Sequence, residues 1–187
     1  YVTDGEQRRQ TFSGYFNVLG DIDNVNRAEY TVTMGDIGNA LKMKNKPQLG
    51  VATDKPSTEK IPAAAVFKAT VPQVTGPVTW NGPMLGRDLE FLKKNTTRLT
   101  KMTIIGPCSL SLRLADAHYG SQAAMAFGIA DALNKELRYL ESAGVDMLQI
   151  DEPEAHFRYS QCRDYAVEAI NRAVRGLKVP TAVHVCY

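Results

Sequence analysis

The chain has no apolar run long enough to cross a bilayer, and no basic, apolar and small-residue leader pattern. No membrane partner is therefore expected. It also lacks charge of one sign, since 22 basic residues face 20 acidic ones for a net charge of +2. A chain that close to neutral offers no footing for nucleic acid or another polyanion. Cysteine is scarce: Cys108, Cys162 and Cys186 make an odd number without a framework spacing. A disulfide scaffold does not fit, and a reduced, cytoplasmic setting does. A glycine-rich phosphate loop, a nucleophile elbow and a paired-cysteine zinc ribbon are all missing.

What remains is globular in character. Apolar residues make up 44% and charged residues 22% of 187 residues, enough for one sizeable core. Residues 1–61 show no sustained period and many Gly, Pro, Asn, Asp and Thr. They read as a loop or lid region with short strands, such as "EYTVTM". From residue 62 the punctuation becomes regular. "FKATVPQVTG", "KMTII", "VDMLQI" and "VPTAVHVCY" read as strands. Between them lie three helices. The first has Leu89, Leu92 and Leu99 as its apolar positions. The second, capped by Ser121 and stopped by Gly144, lines Ala126, Ala130, Leu133, Leu137 and Leu140 along one face. The third carries Ala166, Ile170 and Val174 at four-residue spacing.

Strands and helices alternating at these lengths imply a parallel sheet with right-handed crossovers. The strands are almost wholly apolar, as when both faces are covered. Eight such units need ~250 residues to close a barrel. This chain supplies about four units, so it is an open α/β sheet or part of a larger barrel.

Chemistry in such sheets gathers at the carboxyl ends of the strands. Asp151 and Glu152 follow "VDMLQI" directly, and Pro153 fixes the exit. Two carboxylates there can hold an ammonium, orient a base or ligate a metal, or simply cap the next helix. His184 and Cys186 are two apart on a strand and share a face. Imidazole and thiolate are a zinc-type pair, although taken alone such a pair is more often a buried His and a buried free Cys. "IIGPCSLSLR" offers turn donors and the hydroxyls of Ser109 and Ser111, suited to a ligand or to an ordinary βα turn. "TDGEQRR" holds a turn and Glu6 within a charged cluster.

Taken in order, "TDGEQRR", "IIGPCSLSL", "LNKELRYLESAGVDMLQIDEP" and "VHVCY" resemble the catalytic barrel of the cobalamin-independent methionine synthase family. The resemblance implies a (β/α)8 TIM barrel, of which this chain supplies roughly half plus an irregular N-terminal loop region. It implies one partial domain over residues 1–187. It implies a zinc-dependent transfer of a methyl group to the thiol of homocysteine, forming methionine. His184 and Cys186 match two of the family's zinc ligands. Glu6 and Asp151 match the carboxylates that hold the substrate's amino group. The family's other ligands, a Glu and a second Cys, lie downstream of the His-x-Cys motif, so the site is expected to be completed outside these residues and the chain alone is expected not to be competent. Two positions depart from the members that use methyl-tetrahydrofolate: Arg113 stands where they have Trp, and Phe157 where they have Glu. The methyl donor is thus open between methyl-tetrahydrofolate and a corrinoid protein. Other readings are an alkyltransferase or lyase acting on a thiol such as coenzyme M, a decarboxylase of the uroporphyrinogen type, which "HVCY" disfavours, and a non-catalytic barrel.

Overall fold

The computed structural model describes residues 1–6, 18–32 and 67–185. Cys186 and most of the 1–61 head lie outside them. The elements run β1 (Leu19–Val32), β2 (Phe67–Trp80), α1 (Gly86–Asn95), β3 (Lys101–Ile105), α2 (Pro107–Ser111) and β4 (Ala115–Asp116). They continue with α3 (Gln122–Ser142), β5 (Met147–Asp151), α4 (Pro153–Phe157), α5 (Tyr159–Cys162), α6 (Ala166–Ala173) and β6 (Thr181–His184).

Two three-stranded sheets result. One is parallel, in the order β3-β5-β6. Its edge is extended by a parallel bridge from Val2 to Thr100, where the Val2 amide donates to Leu99 O at 2.7 Å and the Lys101 amide to Val2 O at 2.8 Å. The other has the order β1-β2-β4, with β1 antiparallel to β2 and β4 parallel to it. Two expectations change here. Residues 19–32, read as part of an irregular head with a short strand at "EYTVTM", form a 14-residue strand that takes in Glu29 to Val32 of that segment. Phe67–Trp80 does not join the parallel sheet; its partners are β1 and β4.

The second expected helix forms as read. Ser121 Oγ accepts from the Ala124 amide at 3.2 Å, satisfying one of the orphan donors of the first turn. Gly144, at φ 82°, supplies the left-handed residue that ends it. Ala126, Ala130, Leu133, Leu137 and Leu140 are all buried. α3 packs on β2, α2 and α6. One cluster unites it with Met102 and Ile104 of β3, Leu148 and Ile150 of β5, and Val74 and Val78 of β2. Each large apolar side chain buried there contributes about 1.5–3 kcal/mol.

Two helices differ from expectation. Leu99 falls outside α1 and is exposed, because Thr96 leaves the helix in an extended conformation. The third helix is broken into α5 and α6, and the positions it buries are Ala166, Ala169 and Ala173 rather than a row through Ile170. Among the described residues no helix is long and apolar enough to cross a membrane.

Candidate active site

The carboxyl ends of β3, β5 and β6 lie side by side, and the side chains of interest sit there. Pairing sets Ile105 opposite Asp151, and Asp151 opposite His184. The last residues of β5 and β6 are therefore cross-strand neighbours. Asp151 is only 6% exposed, and its Oδ1 accepts from Gln149 Nε2 at 2.7 Å. His184 is exposed at the strand's end. Its Cys186 partner is outside the described residues, so the geometry of the His-x-Cys pair is not seen. Among the described residues no three of His, Cys, Asp and Glu gather to hold a metal. The donor chemistry of the pair nonetheless suits zinc: imidazole nitrogen and thiolate sulfur both match a borderline-soft ion, and His184 stands at the strand end where such ligands collect.

Glu6 enters from the other side of β3. Val2 pairs along the start of β3, and the chain then continues in the same direction. Thr3 Oγ1 accepts from the Gly5 amide at 3.1 Å, and Gly5 and Glu6 adopt φ 61° and 56° in succession. A left-handed glutamate is uncommon and is held only where its surroundings impose it. Glu6 is half-buried. The structure thus makes neighbours of Asp151 and His184, and sets Glu6 on the far side of β3 from them.

Glu152 has a different role from Asp151. Successive residues at a strand end face opposite ways. The Glu152 side chain is 0% exposed and turns under the Gly-Pro turn. Its Oε1 accepts from the Cys108 amide at 2.9 Å and its Oε2 from the Ser109 amide at 2.7 Å. Its own amide donates to His184 O at 2.9 Å. Gly106 leaves the space: a β-carbon there would overlap the Glu152 carboxyl group. Burial pushes the Glu152 carboxyl up to about 7, against the lowering effect of the hydrogen bonds from Ser109 and Cys108. Of the two readings of this turn, a ligand cradle or an ordinary βα turn, the second holds: its amide donors are taken by Glu152, and Ser109 and Ser111 are buried. Ser109 Oγ accepts from the Glu154 amide at 3.0 Å, and Ser111 Oγ donates to Cys108 O at 2.8 Å.

Sequence reasoning missed the charged group behind this turn. Glu154 Oε1 pairs with Arg113 at 3.1 Å and Oε2 with Arg158 at 3.1 Å. Arg158 also donates to Leu112 O at 2.9 Å. The Glu-x-x-x-Arg spacing of residues 154 and 158 was the available sign, since it puts both on one helical side. Cys108 and Cys162 are buried, and the hydrogen bond between them, with burial, pushes the Cys108 thiol up. A thiol so held is a poor ligand or nucleophile.

Comparison with known proteins adds to this geometry. The family model of the cobalamin-independent synthase catalytic domain matches residues 58–187. The chain belongs to that family. Its relatives include the methionine synthase of Sulfolobus acidocaldarius, 36% identical over 117 residues, which are 62% of this chain and 34% of that protein. The 2-hydroxypropyl-CoM lyase of Xanthobacter autotrophicus is 36% identical over 115 residues, covering 61% of this chain and 30% of the lyase. Among solved structures, a B12-independent methionine synthase from Shewanella sp. W3-18-1 in complex with selenomethionine superposes with a TM-score of 0.74 at 32% identity. It covers 100% of this chain, which spans 46% of it. The chain thus spans about a third of the length of these curated relatives and less than half of the solved one.

Proposed function

We propose that the protein carrying this chain is a cytoplasmic, zinc-dependent methyltransferase that forms methionine from homocysteine. Its scaffold is a (β/α)8 barrel, of which residues 1–187 supply roughly half. The in-register pairing of Asp151 with His184 carries this reading, within a chain that the family model matches over residues 58–187. It sets a carboxylate suited to an ammonium beside an imidazole suited to a metal.

His184 and Cys186 would hold the zinc ion, together with ligands from outside this chain. Bound there, zinc favours the thiolate form of a coordinated thiol. The other residues bind and orient. Asp151 accepts the substrate ammonium in charge-assisted hydrogen bonds, and Glu6 does so from the opposite side of β3. Glu152 fixes the β3 turn and, through its amide, the end of β6, so that Asp151 and His184 keep their relative placement. Methyl-tetrahydrofolate and a methylated corrinoid protein are the two donors in view, and Arg113 and Phe157 are the positions that would distinguish them. The lyase relative supports a second reading, an alkyl transfer or elimination at a thiol such as coenzyme M.

The test uses the full-length protein. His184→Ala and Cys186→Ser should each remove stoichiometric zinc, measured by elemental analysis. Asp151→Asn and Glu6→Ala should keep the zinc and weaken homocysteine binding by about tenfold or more, in line with ~1.5–3 kcal/mol for a hydrogen bond to a charged group. Zinc retained in both ligand variants would refute the metal assignment. Tighter binding of coenzyme M than of homocysteine would favour the second reading.

A further inference from the structure

At β3 and β5 only one face of the parallel sheet carries charged side chains. Met102, Ile104, Leu148 and Ile150 belong to the apolar core. Lys101, Gln149 and Asp151 alternate with them and so share the opposite face. On that face the three side chains are joined. Lys101 Nζ donates to Gln149 Oε1 at 2.7 Å, and Gln149 Nε2 donates to Asp151 Oδ1 at 2.7 Å. Register pairs Lys101 with Met147 and Thr103 with Gln149, so the lysine reaches diagonally, two residues toward the carboxyl end.

The chemistry of the groups fixes the direction of this row. An ammonium only donates, and a carboxylate only accepts. The Gln149 amide must therefore present its oxygen to Lys101 and its NH2 to Asp151. A carboxylate's terminal torsion is broad and has no sharp preference of its own. An amide locked at one end by a charge supplies that preference, and dipoles aligned head to tail strengthen one another.

We propose that Lys101 and Gln149 are positioning residues for Asp151: the lysine locks the glutamine amide, and the amide sets the plane of the carboxylate for a substrate ammonium. This rests on the reading of Asp151 as the group that holds the amino end of the thiol substrate. Neither residue touches the substrate, and Lys101 acts only through Gln149.

The experiment is a calorimetric titration of the full-length, zinc-loaded protein with two thiols: homocysteine, and the same molecule without its amino group. Gln149→Leu should weaken homocysteine binding about tenfold, the loss of one hydrogen bond to a charge. Binding of the desamino thiol should stay within twofold. Lys101→Met should weaken homocysteine binding about threefold, and Lys101→Arg should restore it. The double variant should bind no worse than Gln149→Leu alone, because the lysine has no route except the glutamine. Equal losses for both thiols, or additive losses in the double variant, would mean a structural role and overturn the proposal. If Asp151→Asn weakens homocysteine binding while Gln149→Leu and Lys101→Met do not, the positioning role falls and the proposed function stands. If Asp151→Asn itself has no effect, both fall.

Discussion

At the scale of the residue, the Asp-Glu pair at the end of β5 splits between two surroundings. Asp151 faces the side shared with His184, while Glu152 is enclosed beneath the turn that starts at Gly106. Replacing Glu152 with Gln would aim an NH2 group at a backbone N–H that now donates. Replacing Gly106 with Ala would press a methyl group into the same carboxyl. Each change should cost about 1–3 kcal/mol, the first by an unmet donor and the second by overpacking. Urea denaturation, read as a shift in midpoint at constant slope, checks both. Sequence showed that two carboxylates end a buried strand. It could not tell them apart, since only strand alternation and the position of Gly106 decide which turns inward.

At the scale of the element, the legible pieces were those whose signals are local. Ser121, the apolar row through Leu140, and Gly144 define α3 without outside help. The β1–β2 pairing was illegible because Leu19 and Trp80 become partners across a long separation, which no local pattern records. A similar non-local tie starts the parallel sheet. Asp146 Oδ2 accepts from the Thr100 amide at 2.7 Å and from its hydroxyl at 2.8 Å, joining the beginnings of β3 and β5. The Thr100 amide and hydroxyl hold the Asp146 carboxyl below the usual carboxylate range. The folded state then binds its proton less readily than the unfolded state. The stabilisation is present above the unfolded value and is lost as pH falls through the folded one. Asp146→Ala should therefore lower stability at pH 7 by about 1 kcal/mol, a modest figure for a group near the surface. The gap to the unsubstituted protein should close progressively below about pH 4. Denaturation midpoints measured between pH 3 and pH 7 check it.

At the scale of the whole molecule, the alternation of strands and helices pointed to the parallel sheet of β3, β5 and β6, and family membership accords with it. The second sheet needed the structure. So did the Lys101–Gln149 row, because diagonal contacts depend on register, which no single strand encodes. The pairing of Asp151 with His184 has a metrical consequence. Neighbouring strands stand ~4.8 Å apart, a pitch set by backbone hydrogen bonds and indifferent to side chains. Under the proposed function, that pitch is a ruler laid between the substrate's amine and its sulfur. Lengthening one arm should shorten the substrate that fits: Asp151→Glu in the full-length protein should move preference from homocysteine toward cysteine, as read from the ratio of the two dissociation constants. An unchanged ratio would mean that something other than strand pitch measures the substrate.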